Sequence, residues 1–421
     1  MNPTIKARIE SIRRGEVPEG YKRTKIGIVP NEWGNVLFST LFESFSVYTE
    51  DLEKYPLYSL TIEEGITPKT ERYERSFLVK KKNAYKVMRP NDFAYNPMNL
   101  RFGAVARYKG EKLISVSGYY DIFTTKSKLD LEFMENFLIF DNMITYYNKV
   151  SIGSLIEKQR VHFSNFLNFE LPLPPPTERN RIAEILAGQD RVIALKEKLL
   201  AEKQKQKKYL MQQLLTGKKR LPGFSGEWKE GELGDIVLEC NDGSTPSRKN
   251  DDFFNGDINW VVVEDIRPYI YSTKEKLSKK GVESANLKVW KRGTVIISTC
   301  ASIGLVGILC CEAATKQGIT AILVNEDNSN EYVRFWLENE KSALLKFAQG
   351  SSIREIRSPI LLKLKIDYPC LQEQKAIVKI LLMADKEIEL LKKDIGQEKL
   401  KKKSLMQLLL TGIVRVDELV S

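Results

Sequence analysis

Two long stretches of the chain place apolar side chains three to four residues apart, the spacing of one face of an α-helix. The first covers residues 178–215 and the second begins at Glu373. Neither stretch contains proline, and each is followed by a glycine, Gly217 or Gly412, as at many helix ends. Thr177 is the expected N-cap of the first helix. At 1.5 Å per residue, that helix has a length of roughly 57 Å.

A helix of this length with a single apolar stripe needs a partner to cover the stripe. Two similar helices in one chain therefore predict an antiparallel coiled-coil pair. The alternative is that each helix packs on its own domain.

The segments 24–170 and 221–365 show a different pattern. They contain short apolar runs broken by Gly, Pro and Asn, which is typical of strands. Longer helical stripes are expected at Leu131–Tyr147 and Glu331–Phe347. The pattern predicts two mixed α/β domains with strand-rich cores.

The chain repeats itself at an offset of 195 residues. MQQLLTG at 211–217 recurs as MQLLLTG at 406–412, and 18 of 47 positions are identical between 171–217 and 366–412. The repeat unit is a domain followed by a helix, so the expected fold class is α+β with a pseudo-twofold internal repeat. The expected segments are an N-terminal helical stub that packs with the C-terminal helix (1–23), a first domain (24–177), a central helix (178–220), a second domain (221–372) and a C-terminal helix (373–421).

Composition narrows the class of partner. Hydrophobic residues make up 42% and charged residues 29% of the 421 residues, as in ordinary folded chains. The formal charge of +11 indicates a polyanionic partner, such as nucleic acid or an anionic membrane surface. Residues 178–220 carry +7 and residues 373–415 carry +4, so the whole excess lies on the two helices. The segments Lys69–Arg89 and Arg267–Arg292 are locally basic. Contact with DNA and an ordinary solvated surface both remain open as explanations of these segments.

Several features predict a cytoplasmic protein. The five cysteines form no C-x-x-C pair, as expected for free thiols in a reducing compartment. The first residues contain no apolar segment of the signal-peptide type. The run Gly293–Cys311 is uncharged, but its glycines and β-branched residues favour two buried strands joined at Ser302–Gly304 over a membrane span. We expect no membrane partner.

The sequence contains no complete catalytic motif. The P-loop and the dinucleotide-binding glycine motif are absent. Tyr95–Met98 faintly resembles an adenine methyltransferase motif and is interpreted as a turn. Asp367 and Glu373 have a nuclease-like order, but Glu373 opens a helix. The single histidine, His162, is interpreted as a half-buried strand residue. We expect no catalytic residue, no metal ligand and no cofactor bound by this chain.

Seven segments between residues 171 and 412 form an ordered combination. They are LPLPPPTERNRIAEIL (171–186), GSTPSRKNDDFFNGDINWVVVEDI (243–266), STCASIGLVGIL (298–309), KQGITAILV (316–324), GSSIREIRSPILLKLKIDYPCLQEQKAIVKIL (350–381) and the two LMQxLLTG helix ends. This combination resembles the specificity subunit of type I restriction–modification systems.

The resemblance implies a non-catalytic role in host defence. Each domain would be a target-recognition domain that reads one half of an asymmetric, bipartite site on double-stranded DNA. The helices would set the spacing and dock two modification (methyltransferase) subunits. Those partners would supply the S-adenosylmethionine chemistry, and restriction/translocase subunits would supply the chemistry that uses ATP and Mg.

The candidate DNA-binding residues follow the matched loops of the two domains. In the first domain they are Lys80, Lys81, Lys82, Lys86, Arg89, Asn96, Arg101 and Tyr119. In the second they are Thr245, Pro246, Ser247, Arg248, Lys249, Ser302, Lys316, Gln317, Ser352 and Arg354.

The first domain departs from these motifs, because Gly65–Pro68 (GITP) replaces GSTP and Gly153–Ile156 (GSLI) replaces GSSI. Equivalence of the contact loops therefore stays open. Two other functions also stay open. One is a coiled-coil protein–protein adaptor without sequence-specific DNA binding, and the other is a stand-alone nuclease or methyltransferase.

Overall fold

The computed structural model describes residues 3–69, 84–153, 155, 159–348 and 354–419. The chain forms two compact units. Unit 1 comprises Met1–Lys196 together with Asp394–Ser421, and unit 2 comprises Glu197–Lys393. The unit boundaries thus fall within the two long helices, whereas the sequence predicts these helices as separate segments.

Unit 1 begins with a helix and continues as a strand-rich domain. Its helices are α1 (Pro3–Arg13), α2 (Phe38–Leu41), α3 (Leu131–Phe137), α4 (Asp141–Val150), α5 (Phe163–Leu167) and the first part of α6 (Pro176–Leu214). Its strands are β1 (Tyr21–Thr24), β2 (Gly27–Pro30), β3 (Gly34–Leu37), β4 (Phe42–Phe45), β5 (Tyr48–Thr49), β6 (Tyr58–Thr61), β7 (Gly65–Pro68), β8 (Tyr85–Met88), β9 (Phe93–Tyr95), β10 (Val105–Arg107), β11 (Ile114–Ser117), β12 (Asp121–Thr125) and β13 (Glu170–Leu173).

Antiparallel pairing organises these strands. A four-stranded sheet has the order β10-β9-β12-β4, a three-stranded sheet has the order β11-β8-β5, and β13 pairs with β3. Aromatic side chains fill the core beside the larger sheet. Phe93 and Phe123 stack with ring centroids 5.2 Å apart, and Phe42 and Phe166 lie in the same cluster. Aromatic rings bury large apolar areas, so this cluster contributes strongly to the stability of the domain.

Unit 2 has the same mixture of elements. Its strands are β14 (Lys229–Glu232), β15 (Val237–Asp242), β16 (Ile258–Val261), β17 (Tyr269–Ile270), β18 (Lys276–Leu277), β19 (Val295–Ser298), β20 (Val306–Leu309), β21 (Ala313–Thr315), β22 (Ile319–Val324) and β23 (Lys365–Tyr368). Its helices are the remainder of α6 followed by α7 (Lys279–Ser284), α8 (Asn330–Asn339), α9 (Lys341–Phe347), α10 (Ser358–Leu362) and most of α11 (Leu371–Leu409), whose last part belongs to unit 1.

The main sheet of unit 2 has the order β15-β22-β19-β20-β17, and a second sheet has the order β18-β16-β21. β19 and β20 are antiparallel neighbours with all four β19 side chains buried, which confirms two strands within the uncharged run. Among the described helices, none is long and apolar enough to cross a membrane.

The long helices α6 and α11 each have 39 residues. α6 starts at Pro176, and proline suits a first helical position because its missing N–H has no partner to lose there. Thr177 therefore lies inside the helix, and its prediction as the N-cap is wrong. Gly217 and Gly412 follow the helices with positive φ angles of 67° and 66°, as predicted for residues that end a helix.

Within each unit, parts of α6 and α11 pair antiparallel. In unit 1 the Lys196 ammonium lies 2.8 Å from the Asp394 carboxylate, and Lys402 lies 2.7 Å from Asp190. In unit 2 Lys207 lies 2.6 Å from Asp385. The Lys402–Asp190 and Lys207–Asp385 pairs are related by the 195-residue offset. The internal repeat is therefore present in the contacts as well as in the sequence.

A second ion pair is repeated at the starts of the two long helices. Arg415 binds the Glu178 carboxylate in unit 1 (2.7 Å), and Arg220 binds that of Glu373 in unit 2 (2.7 Å). Trp33 also donates to Glu178 over 3.2 Å. These carboxylates lie in the first turns of their helices, where the helix dipole favours negative charge.

The N-terminal helix α1 lies against the segment that follows α11 within unit 1. Arg8 forms an ion pair with Glu418 over 2.9 Å, and it also donates to the carbonyl oxygen of Ile413. The Tyr21 hydroxyl donates to the carbonyl oxygen of Gly412 over 2.8 Å. The two ends of the chain are thus joined in one unit.

Candidate nucleic-acid interface

The matched motifs of the second domain meet at one edge of the main sheet of unit 2. The antiparallel register places Asp242, the end of β15, opposite Thr320, and Ser298, the end of β19, opposite Ile319. The loops that continue from these positions therefore leave the sheet on the same side. We call residues 243–250, 299–304, 316–318 and 354–356 the unit 2 loop edge.

Backbone hydrogen bonds hold these loops together. The Ser244 N–H donates to Thr315 over 3.1 Å, Thr299 donates to Gly318 over 2.8 Å, and Ala301 donates to Arg354 over 3.3 Å. Gly243 fits only because it has no side chain, since a Cβ there would lie 2.3 Å from the carbonyl oxygen of Thr315. The loops thus approach one another at main-chain distance.

A polar cluster lies below the loops. One oxygen of the Asp242 carboxylate accepts from the Thr320 hydroxyl over 2.5 Å, and the other accepts from the Ser358 hydroxyl over 2.9 Å. The Thr320 and Thr299 hydroxyl oxygens are 3.3 Å apart. Asp242 thereby links three of the chain segments that form the edge.

Arg248 occupies a defined position on the unit 2 loop edge. Its guanidinium carbon lies 4.5 Å from the ring centroid of Phe254 and 5.0 Å from that of Trp260. Its Nη1 donates to the carboxylate of Glu275 over 2.6 Å. Lys316 lies over the same Trp260 ring at 5.9 Å. Two cations therefore share one buried indole, and a carboxylate binds the first of them.

Most of the candidate DNA-binding residues of the second domain lie on this edge with accessible side chains. Pro246 is buried, Thr245 and Lys316 are half-buried, and Ser352 lies outside the described residues. The exposed candidates are Ser247, Arg248, Lys249, Ser302, Gln317 and Arg354. Within the basic segment Arg267–Arg292, Glu275 contacts this edge by accepting from Arg248. Arg292 comes shortly before the first residue of β19, at the end of that strand opposite the edge.

The candidates of the first domain are less uniform. Lys80, Lys81 and Lys82 lie outside the described residues. Lys86 is only 5% exposed, and its ammonium donates to the carbonyl oxygen of Tyr120 over 2.7 Å. Burial lowers the pKa of Lys86, although the Asp121 carboxylate 3.9 Å away opposes that change. This burial argues against Lys86 as a phosphate contact.

Arg89 is also engaged within unit 1. Its Nε lies 3.1 Å from the buried Asp92 carboxylate, and its guanidinium lies 3.9 Å from the Phe45 ring centroid. Burial raises the pKa of Asp92, and the hydrogen bonds from Arg89 oppose that rise. Arg89 therefore neutralises a buried carboxylate, which leaves less of its charge for a partner.

Asn96, Arg101 and Tyr119 lie toward one end of the four-stranded sheet of unit 1. The side chain of Asn96 accepts from the Met98 N–H over 3.1 Å, so the NPM segment is a turn, as predicted. Arg101 donates to Gln159 over 2.9 Å and lies over the Phe102 ring. Tyr119 is 46% exposed and precedes Asp121, which pairs with Tyr95.

The prediction for His162 is wrong. It is exposed and directly precedes α5, rather than lying half-buried in a strand. Its neighbour Val161 donates to the carbonyl oxygen of Pro97, so His162 lies near the Asn96 turn. The apolar–polar alternation of VHFS suggests a strand, but Phe163–Leu167 forms the short helix α5.

Groups that resembled catalytic residues have structural roles. Glu373 lies in the first turn of α11, is 2% exposed and binds Arg220. The cysteines that the structure describes are all free thiols. No group of three or more His, Cys, Asp or Glu side chains with metal-binding geometry occurs within the described ranges.

Known proteins share this architecture. A chain from a study of complex assembly and conformational transition in the type I R-M system superposes with a TM-score of 0.60 at 18% identity, covering 92% of this chain and 99% of that one. The S subunit of a type I restriction–modification system from M. genitalium gives 0.50 at 14% identity, covering 90% and 96%. These likenesses confirm the mixed α/β fold.

Sequence comparison identifies the family. A putative type I restriction enzyme MjaX specificity subunit of Methanocaldococcus jannaschii is 25% identical over 430 residues, covering 94% of this chain and 97% of that protein. The MjaVIII specificity subunit of the same organism is 27% identical over 311 residues, covering 67% and 72%. The family model of the type I restriction modification DNA specificity domain matches twice, at residues 44–204 and 225–398. This chain therefore belongs to the type I restriction modification DNA specificity family.

Proposed function

We propose that this chain is the DNA sequence-recognition subunit of a type I restriction–modification enzyme, and that each domain reads one half of an asymmetric, bipartite site. The observation that carries the proposal is the unit 2 loop edge, where the family's motif segments meet and present hydroxyl, amide and cationic side chains. Such side chains supply both kinds of contact that sequence recognition requires, to phosphates and to base edges.

The two kinds of contact divide among the exposed candidates. Lys249 and Arg354 have the charge to bind phosphate oxygens. The contribution of such contacts falls as the salt concentration rises, because the release of counterions from DNA becomes less favourable. Ser247, Ser302 and Gln317 have the short polar groups that donate to or accept from base edges. In the first domain, Asn96, Arg101 and Tyr119 are the described candidates that remain for these roles.

The proposal places catalysis on partner proteins. Modification subunits would supply S-adenosylmethionine-dependent methylation, and restriction subunits would supply the reactions that use ATP and Mg. The lysine-rich helices α6 and α11 would serve as the docking region of the modification subunits, and the complex would act in the cytoplasm. Ion pairs such as Lys196–Asp394 neutralise only part of the positive charge of the two helices. The remaining positive charge supports an acidic partner.

The decisive experiment is a domain exchange. The chain is co-expressed with a type I methyltransferase subunit that assembles with it, and the methylated sequence is determined by methylome sequencing. Replacing residues 24–170 with the corresponding domain of another family member should change one half of the methylated site and leave the other half unchanged. An unchanged methylome would contradict the proposal and favour the adaptor function.

The enzyme alternative has its own test. A stand-alone nuclease or methyltransferase would act on DNA as the purified chain with Mg²⁺ or S-adenosylmethionine. The change Glu373→Ala would then remove a catalytic group. We expect no turnover from the purified chain, and a loss of stability from Glu373→Ala because Arg220 loses its partner.

A further inference from the structure

We infer that Glu275 is a positioning residue, which holds Arg248 so that the remaining edge of its guanidinium group binds a pair of acceptor atoms on DNA. The inference rests on the proposed function and assigns a role to a carboxylate within the basic segment Arg267–Arg292. It concerns four residues of unit 2, namely Arg248, Phe254, Trp260 and Glu275.

The geometry leaves one edge of Arg248 available. Nη1 is bound to Glu275 over 2.6 Å, and the flat group lies against the rings of Phe254 and Trp260. Among the described residues, no hydrogen-bond partner accompanies Nε or Nη2. That pair of donors has the spacing of two phosphate oxygens or of the O6 and N7 acceptors of guanine. The side chain of Arg248 is 51% exposed, so the edge is accessible.

Glu275 is itself held in place. Its carbonyl oxygen accepts from the backbone N–H of Trp260 over 3.2 Å and from the Thr273 hydroxyl over 2.6 Å. Trp260 is fully buried, so it forms a fixed floor below Arg248. The residue that forms the floor and the residue that binds Nη1 are therefore joined by a backbone hydrogen bond. Such an arrangement restricts an arginine side chain before DNA binds and reduces the entropy lost on binding.

The sign of the effect distinguishes positioning from plain charge. A carboxylate near a DNA-binding surface repels phosphates, so its removal ordinarily strengthens binding to any duplex. A positioning carboxylate has the opposite effect on the specific site, because its removal releases Arg248 from its orientation. The ion pair is partly exposed and contributes little to stability, so Glu275→Gln should fold normally.

The experiment uses the full-length chain assembled with a type I methyltransferase subunit. The wild-type complex first selects a duplex from a random library, and an unrelated duplex of equal length is the non-specific probe. Failure of the wild-type complex to select any sequence would contradict the proposed function itself. If selection succeeds, dissociation constants are measured for Arg248→Ala, Glu275→Gln, the double variant and the control Glu283→Gln, which removes an exposed carboxylate of α7.

We expect Arg248→Ala to weaken specific binding by about 5- to 100-fold. Glu275→Gln should weaken it by about 3- to 10-fold, with little change on the unrelated duplex. In the Arg248→Ala background, Glu275→Gln should add no further loss, and Glu283→Gln should cause none. Tighter binding of Glu275→Gln to both duplexes, or an equal loss in both backgrounds, would overturn the inference.

Modified duplexes identify the acceptor pair. Each guanine of the selected site is replaced in turn by 7-deazaguanine, and each phosphate by a methylphosphonate. One substitution should weaken binding of the wild type but not of Arg248→Ala. A deazaguanine at that position would assign the contact to a base, and a methylphosphonate would assign it to the backbone. The absence of any such position would contradict a direct contact by Arg248.

Discussion

Arg415 and Glu178 form a two-point ion pair in unit 1, with Nε–Oε1 and Nη2–Oε2 distances of 2.7 and 2.9 Å. Glu178 is the more buried partner, with 11% of its side chain exposed against 27% for Arg415. The pair joins the first turn of α6 to the segment after α11. Its equivalent under the 195-residue offset, Arg220–Glu373, has the same role in unit 2.

Replacement of Arg415 should therefore destabilise unit 1. In Arg415→Ala the largely buried Glu178 loses two charge-assisted hydrogen bonds, so we expect the free energy of unfolding to fall by roughly 2 kcal/mol. The matched control is Arg181→Ala, since Arg181 pairs with Asp417 at side-chain exposures of 59% and 84%. Urea denaturation should show a change below about 0.5 kcal/mol for the control. Equal effects of the two variants would show that the buried pair has no special role.

The two helix-ending glycines should respond differently to alanine. Both have positive φ angles, which cost alanine about 1–2 kcal/mol. At Gly217 a new Cβ would lie 3.3 Å from the Trp228 ring, whereas at Gly412 it would lie 2.5 Å from the Pro30 ring and 2.9 Å from that of Trp33. Gly412→Ala should lose about 1–3 kcal/mol more than Gly217→Ala. Thermal unfolding of both variants measures this difference, and the reverse order would contradict the packing argument.

Cys240 should be the slow cysteine in thiol labelling. Burial, and secondarily the charge of Asp242, raise the pKa of the Cys240 thiol to about 12. Little thiolate therefore forms at pH 8, whereas the exposed Cys370 is accessible to reagent. Mass spectrometry after brief labelling with iodoacetamide should find Cys370 modified and Cys240 intact. Rapid labelling of the half-buried Cys240 in the folded chain would contradict its raised pKa.

The raised pKa of Cys240 also predicts a direction for stability. The unfolded chain loses the proton near the ordinary thiol value, and the folded chain loses it only near 12. The contribution is thus fully present below the unfolded pKa and is lost as the pH rises toward the folded pKa. Cys240→Ser should reduce this loss above pH 9, measured as the pH dependence of the unfolding midpoint.

Lys86 and Arg101 should separate structure from DNA contact in the first domain. Lys86→Met removes an ammonium that is bound inside the protein, so we expect reduced stability and an unchanged salt dependence of DNA binding. Arg101→Ala should leave stability nearly unchanged and reduce the slope of log affinity against log salt by about one. Fluorescence anisotropy over a salt series measures both slopes. A reduced slope for Lys86→Met would restore Lys86 as a phosphate contact.

The long helices were predictable because their signals are local. The backbone at the end of each helix has a positive φ angle, which favours glycine there. An apolar stripe that continues through 39 residues indicates a helix. The predicted start of α6 is wrong because two adjacent residues favour different helix starts. Thr177 is a preferred N-cap type, whereas proline is favoured at the first helical position, and the helix starts at Pro176.

Shorter helices were less predictable. The stripes at Leu131–Tyr147 and Glu331–Phe347 each form two helices, α3 with α4 and α8 with α9, rather than one. The first break lies at residues 138–140, where Leu138 and Phe140 are buried as fully as the flanking helical residues. Because the apolar pattern continues through the break, periodicity alone does not reveal the change of direction.

Side-chain direction also limits what a charge count can show. Lys86 belongs to a basic segment, yet β8 is buried on both faces and takes the lysine inward toward Tyr120. The loops of unit 2 carried more information because their motifs combine glycine with small polar residues. Their convergence on one edge still depends on the order of five strands, which no single segment specifies.

The close approach at Gly243 has a practical consequence for redesign. Since the main chain of this loop rests on Thr315 and Lys316, the frame of the edge is set by backbone and glycine rather than by variable side chains. A combinatorial library that randomises residues 247–249 and 316–317 while retaining Gly243 and Gly318 would sample new surfaces on one unchanged scaffold. Selection from such a library could alter target preference without redesigning the fold.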